Sequence, residues 1–401
     1  AVAARGERYT PPAEWPTQWW TTLPDGRVRC DVCPRACSLH EGQHGLCFVR
    51  ARSGGAIVLT TYGRSSGFCI DPVEKKPLYH FLPGTPVLSF GTAGCNLACR
   101  YCQNWDISKS RSTQTLSDAA PPEAIARAAI DSGCASVAFT YNDPVVFLEY
   151  AADTADACHE QGLRTVAVSA GYMLAGPRQQ LFARVDAANI DLKAFDDGFY
   201  QRVCGGHLAP VLETLAWLVA NGVWVEITTL LIPGMNDSDS EIGRLAGWVA
   251  TTLGPHVPLH FTAFHPDFKM LDVPPTPPAT LTRARQVARD QGLRYVYTGN
   301  VHDPEGGTTH CPGCGTAVVV RDWYRIDRYE VTDDGHCRAC GAAIDGEYDG
   351  PVGQWGRRRR SVRMATPQWP RVCPNSGTSH ISGSNGRRVA PKSNQRSTAS
   401  S

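Results

Sequence analysis

Three cysteines stand within eight residues of the stretch GCNLACRYCQNW: Cys95, Cys99 and Cys102. Structural zinc and fully ligated iron–sulfur clusters take four protein ligands, and no His, Asp or Glu lies close enough behind these three to complete such a set. Three thiolates can instead hold three irons of a [4Fe–4S] cluster and leave the fourth iron open for a ligand. Catalytic zinc keeps an open position for the same reason, while structural zinc does not. The competing reading is a zinc knob whose fourth ligand is distant in sequence.

Two other cysteine sets have four members. Cys311-x2-Cys314 and Cys337-x2-Cys340, each pair followed by Gly, predict a closed zinc ribbon. Cys30-x2-Cys33-x3-Cys37 followed by Cys47 is a looser set, with His40 and His44 in the same loop as possible substitutes. Zinc or an auxiliary iron–sulfur cluster suits it, and zinc is favoured. Cys204, in VCGG ahead of a helical pattern, could have its thiol pKa lowered by the helix dipole, but it reads first as a packed or exposed thiol. Cys69, Cys134, Cys158 and Cys373 have no ligand-spaced partners.

The elements that must position these residues follow from hydrophobic period. Strand patterns at 87–92, 136–142, 164–170, 186–193, 224–232 and 258–264 alternate with amphipathic helical ones such as PPEAIARAAIDSG and LAPVLETLAWLVANG, several closing on Gly. A last strand-like run spans 295–301. Such alternation implies parallel strands with helical crossovers, and about six repeats predict an α/β fold, a partial (βα)6 TIM-like barrel with small cysteine-rich modules on both sides. An open doubly wound sheet is the alternative. The cluster motif falls where the first barrel strand ends, and active sites of barrels are built at carboxyl ends of strands. Expected boundaries are an extension over 1–29, a cysteine-rich module over 30–85, the barrel over 86–302, the ribbon over 303–347 and a basic disordered tail over 348–401.

At 401 residues and 42% apolar, the chain can bury a large core. Sixteen cysteines in ligand-like clusters, with no apolar leader and no run of about 18 apolar residues, point to a reducing cytoplasm and no membrane. The formal net charge of +1 conceals a basic end: residues 351–401 hold Arg357, Arg358, Arg359 and Arg360 and no acid.

Together with CDVCPRACSLHEGQHGLCFVR, DPVEKKPLYHF, FTYNDP, NIDLKAF, VCGG, TTLLIPGMND, PPTPP and YVYTGN, the cluster motif, with Tyr101 before its last cysteine, resembles the radical S-adenosylmethionine enzyme of the AmmeMemoRadiSam system. That family is similar in turn to pyruvate formate-lyase activating enzymes. The resemblance covers about residues 27–347. It implies a radical SAM barrel in which S-adenosylmethionine chelates the open iron and yields a 5′-deoxyadenosyl radical that abstracts hydrogen from a substrate, either a protein, as in glycyl-radical activation, or a smaller molecule. It also implies cofactor contacts at Tyr101, Asn142, Asp143, Ser169, Asp191, Lys193 and His265. Two positions depart from the family pattern: Asp143 stands where Glu is commoner, and Ala170 stands where Asn follows Ser169. Implied partners are an electron donor such as flavodoxin or ferredoxin, and the Memo and Ammecr1-type proteins.

The charged run Asp71, Glu74, Lys75 and Lys76 is an ordinary solvated face by composition; because the family carries the block, contact with substrate, cofactor or the flanking modules is expected. A second function of another class, a zinc- and nucleic-acid-binding protein, is suggested by two zinc-like modules and an Arg-rich tail. The cluster motif weighs against it, since a binding module has no use for an open iron.

Overall fold

The computed structural model describes residues 9–111 and 118–364. Nine strands form the central sheet: β1 (Phe68–Pro72), β2 (Pro86–Phe90), β3 (Ser136–Phe139), β4 (Arg164–Ser169), β5 (Ala187–Asp191), β6 (Trp224–Leu231), β7 (Leu259–Ala263), β8 (Val296–Gly299) and β9 (Arg360–Val362). Their spatial order is β8-β7-β6-β5-β4-β3-β2-β1-β9. Strands β2 to β8 are parallel and lie in strict chain order. Barrel winding gives this order, whereas a doubly wound sheet would reverse direction partway. The strand-like run at 295–301 supplies β8, so the six expected repeats continue into a seventh parallel strand. Both β1 and β9 add antiparallel at the other end.

The crossovers are α1 (Pro122–Asp131), α2 (Leu148–Glu160), α3 (Ala175–Phe182), α4 (Ala209–Ala220), α5 (Asp239–Trp248) and α6 (Pro278–Asp290). In α1 the buried residues Pro122, Ile125, Ala126 and Ala129 recur at helical spacing. Proline opens α1 and α6, where no intrahelical partner for its nitrogen is needed. Ser238 caps α5 by accepting from the Glu241 amide.

DPVEKKPLYHF is not a solvated face. Asp71, Glu74 and Lys76 are buried, and Val73, Leu78, Phe81 and Leu82 pack on Val87, Ala138, Val166 and Ala187 from β2, β3, β4 and β5. The segment therefore fills the concave side of the sheet. Burial is tolerated because its charges are paired: Lys75 and Lys76 both bond Asp71, at 3.1 and 2.8 Å, and the amides of Tyr79 and His80 donate to Glu226 at 2.8 and 2.7 Å. Glu226 in turn bonds His260 at 2.6 Å.

The flanks also need correction. Residues 9–29, expected as an irregular extension, contribute Trp15–Pro16, Trp20–Thr22 and most of Val28–Cys30 to two small antiparallel sheets of the cysteine-rich module, and Trp15 stacks on Tyr62 with centroids 3.7 Å apart. At the other end, residues 348–364 are folded: Arg357 bonds Asp322, Arg358 lies over the Trp355 ring, and Arg360–Val362 pairs with β1. The rest of the expected tail, 365–401 with Cys373, lies outside the described residues, as do 1–8. Among the described residues no single helix is long and apolar enough to cross a membrane.

Candidate functional site

The cluster loop leaves the carboxyl end of β2 and must turn sharply to present its thiols. Two glycines allow the turn. A Cβ at Gly91 would stand 2.2 Å from the Thr140 carbonyl oxygen, and one at Gly94 (φ +81°) would stand 1.9 Å from that of Cys47. Asn142 then fixes the loop. Its Oδ1 accepts from the Thr92 amide at 2.8 Å, and its Nδ2 donates to Thr92 Oγ1 and to the carbonyls of Ala93 and Gly94. The Asn142 side chain is thus engaged by the loop backbone, which makes it a positioning residue for Cys95.

Burial pushes the Cys95 thiol up to about 12, with the Asp143 charge adding to the effect. Cys99 is raised by its contact with Cys204 and then by burial. Cys102 is raised by burial, against a 3.2 Å contact with Ser108 Oγ. Such thiols ionise only where a cation stabilises the thiolate, and a bound metal does so as it displaces the proton. Lys109 lies close enough to favour all three thiolates and is tied by Nζ to the Leu97 carbonyl at 2.6 Å.

The next strand ends supply the surrounding polar groups. Asp143, after β3, accepts from Ser169 Oγ at 2.8 Å and from the amides of Ala170 and Val145 at 2.9 and 3.1 Å. The chain therefore ties Asp143 to the turn at Ser169 and Ala170. At the end of β5, Lys193 Nζ bonds Asp191 at 3.0 Å. Burial opposes charge on Lys193, yet Asp191 and the Cys99 and Cys204 thiolates outweigh it and raise its pKa. His265, beyond β7, is exposed, and its Nδ1 lies 3.1 Å from the Pro266 carbonyl. Tyr101 is buried, with its hydroxyl 3.7 Å from Cys204 Sγ.

Cys204 is a packed thiol, one of the two readings the sequence offered, but nothing in the sequence placed it beside the cluster motif. It is fully buried and reaches Cys99 and Tyr101, and its carbonyl accepts from the Ala98 amide at 2.7 Å. No spacing signal could have found a partner that arrives from 103 residues away. Lys109, seven residues after the last cluster cysteine, was likewise passed over.

The second cysteine site is plain in the geometry. The sulfurs of Cys311, Cys314, Cys337 and Cys340 all lie within 4.8 Å of one another, with Cys311 and Cys340 3.6 Å apart and Cys314 and Cys337 3.9 Å apart. Four thiols so gathered can hold one metal ion.

The radical SAM superfamily profile matches residues 90–246, which run from the end of β2 through most of α5. A protein of Methanocaldococcus jannaschii, described as uncharacterized, is 41% identical over 329 residues, spanning 82% of this chain and 98% of the relative. The chain belongs to the radical SAM superfamily. The pyruvate formate-lyase-activating enzyme of Clostridium pasteurianum is 27% identical over 155 residues, which is 38% of this chain and 65% of that enzyme. Among solved structures, a domain of a pyruvate-formate lyase-activating enzyme from Bacteroides vulgatus aligns with a TM-score of 0.37 at 19% identity, covering 41% of this chain and 99% of that one. Radical SAM membership implies an enzyme that uses a [4Fe–4S] cluster and S-adenosylmethionine. The donor set fits: three thiols, Cys99 buried and Cys95 and Cys102 half-buried, a lysine beside them and no fourth cysteine within the motif.

Proposed function

We propose that Cys95, Cys99 and Cys102 hold the [4Fe–4S] cluster and that this enzyme cleaves S-adenosylmethionine reductively to abstract hydrogen from a substrate. The observation that carries this reading is the juxtaposition of three cysteine thiols, Cys99 buried and Cys95 and Cys102 half-buried, with the Asp191–Lys193 pair, whose lysine lies close enough to Cys99 to favour its thiolate. When bound, the cluster and S-adenosylmethionine supply one-electron cleavage of the sulfonium C–S bond and a 5′-deoxyadenosyl radical. The chain's own residues bind and orient. Lys193 offers a cation to the methionine carboxylate, and Asp191 holds that cation in place. Asp143 and Ser169 brace the wall next to the cluster loop, and His265, exposed at the rim, is free to meet the cofactor or the substrate. The buried segment Asp71–Leu82 closes the concave side of the sheet against water.

The ordered match of sequence blocks supports placement in the AmmeMemoRadiSam system, with Memo and Ammecr1-type proteins as partners, a flavodoxin or ferredoxin as donor and the cytoplasm as compartment. The likeness to activating enzymes supports a protein substrate of the glycyl-radical kind. Zinc suits the ribbon, because four thiolates at this spacing match a tetrahedral ion. The test is electron paramagnetic resonance of anaerobically reconstituted, reduced protein. Addition of S-adenosylmethionine is expected to change the cluster signal, and an unchanged signal would sink the open-iron assignment.

A further inference from the structure

The first cysteine set, Cys30, Cys33, Cys37 and Cys47, faces one cavity at the junction of the N-terminal module and the barrel. Zinc was favoured for it on sequence, but the spacing of its sulfurs argues otherwise. A tetrahedral zinc with Zn–S of about 2.3 Å holds its sulfurs roughly 3.8 Å apart, as the ribbon does. Among the described residues, no three thiols of the N-terminal set lie within 4.8 Å of one another. Thiols that converge on a shared space yet stand wider than a single ion allows suit a cage of four irons, one thiolate to each. The surroundings suit an anionic occupant. Arg35 lines the cavity and keeps a buried Nη2 without a hydrogen-bond partner, while Arg50, also on its wall, is already paired with Glu149.

The cavity also touches the first site. Arg35 donates from Nε to the Asn96 carbonyl at 3.1 Å, Asn96 itself lines the cavity, and the Cys47 carbonyl presses on Gly94. Of the neighbours of Cys95, Gly94 thus meets Cys47 and Asn96 meets Arg35 of the same cavity. On its outer side the cavity is walled by Leu46, which is 42% exposed. A redox centre here would lie one side chain from solvent and share a wall with the loop of Cys95.

We propose that Cys30, Cys33, Cys37 and Cys47 hold a second, fully ligated [4Fe–4S] cluster that relays single electrons to the first. An electron from a low-potential one-electron donor protein reduces the outer centre and passes to the inner one; no bond is made or broken, and each transfer returns the outer centre to its oxidised form. The relay role rests on the cluster assignment at Cys95, Cys99 and Cys102, while the second cluster itself does not.

The experiment is metal analysis with resonance spectroscopy on anaerobically reconstituted full-length chain. Wild type is expected to carry about eight irons and eight sulfides. The variant Cys95→Ser/Cys99→Ser/Cys102→Ser should keep about half of that iron, with a reduced-cluster signal indifferent to S-adenosylmethionine. The variant Cys33→Ser/Cys37→Ser should keep the complementary half, with a responsive signal. If the N-terminal variant does not fold, wild type alone still decides, because two reduced clusters on neighbouring loops broaden each other's resonance. Zinc bound to the N-terminal set, or iron lost entirely from the first variant, overturns the proposal and leaves the open-iron reading standing. Iron that survives only at the N-terminal set, and never responds to S-adenosylmethionine in wild type, defeats the open-iron reading instead. For the relay, reduction of the inner cluster by reduced ferredoxin should slow at least tenfold in Cys37→Ser while its S-adenosylmethionine response persists; an unchanged rate removes the relay.

Discussion

At the scale of residues, ligand spacing is legible because metal coordination allows few separations along a chain. The ribbon set could be read this way, and the fold gathers its four sulfurs; Cys95, Cys99 and Cys102 are proposed as ligands on the same kind of spacing. Residues that serve the site through tertiary contact could not be read so. Asn142 is a cofactor contact by resemblance, and its amide also bonds the loop backbone, which only the path of the chain reveals. Lys193 is the residue whose assignment is easiest to test. Lys193→Ala should retain the cluster, since no thiol is touched, but lose a charge-assisted contact worth about 1.5–3 kcal/mol, or roughly one to two powers of ten in cofactor affinity. Equilibrium binding of S-adenosylmethionine to the reconstituted variant measures this. Wild-type affinity would take Lys193 out of the site, and a cleavage defect that persists at saturating cofactor would show that it also sets geometry.

At the scale of elements, the parallel strands were legible from their apolar runs, and the structure trims each at its carboxyl end. The pattern at 136–142 ends as a strand at Phe139, and that at 186–193 ends at Asp191. The residues trimmed off, Asn142 and Lys193 among them, belong to the loops that build the site. The barrel-filling segment was legible only as a contact with the flanking modules that the resemblance implied, because Asp71, Glu74, Lys75 and Lys76 carry the composition of a surface run; Lys75 stays exposed, and pairing makes the burial of Asp71 and Lys76 tolerable. Glu74 is the exception to that pairing. Its Oε1 accepts from the Gly84 amide at 2.7 Å, its Oε2 is buried without a partner, and burial pushes its carboxyl up to about 7. A folded-state pKa above the ordinary 4.5 means that the folded chain holds this proton more tightly, so stability falls as pH rises from 4.5 to about 7. The loss amounts to about 3 kcal/mol. Glu74→Gln keeps the acceptor and removes the charge. It should therefore be more stable than wild type at pH 8, with the difference shrinking below about 1 kcal/mol at pH 5; a gain independent of pH, read from denaturation at both values, would refute the account. A second joint is held by Arg50, which bonds Glu149 of α2 through both guanidinium nitrogens, at 2.8 and 2.5 Å, and donates to the Val146 carbonyl. Arg50→Met leaves a buried carboxylate unpaired and should cost about 3–5 kcal/mol, most of it recovered in Arg50→Met/Glu149→Leu. Equal losses in the single and double variants would mean that the pair itself, and not the stranded charge, holds the module.

At the scale of the whole molecule, the ribbon is joined to the barrel through the same buried segment. Arg321, on the ribbon strand Ala317–Asp322, is itself buried and donates to the Tyr79 carbonyl at 2.7 Å. The His80 ring bonds the Asp345 carbonyl through Nδ1 and the Tyr297 hydroxyl of β8 through Nε2, both at 2.6 Å, and the Leu82 amide donates to the Glu347 carbonyl at 2.9 Å. The segment is therefore gripped by barrel strands on one side and by the ribbon on the other. The ribbon's own buried apolar residues are few, Val318, Val319, Val331 and Ile344 among them, so a metal held by its four thiols would supply much of its folding energy. Loss of that metal should be felt beyond the ribbon. Removing it with a chelator, or through Cys311→Ser/Cys314→Ser, is expected to lower the melting temperature of the entire chain by about 5 °C or more in one transition. Hydrogen exchange should rise in parallel at the amides of Tyr79, His80 and Leu82. Exchange that rises only within residues 309–344, with the barrel transition unmoved, would show that the ribbon is an appendage and that the barrel holds this segment alone.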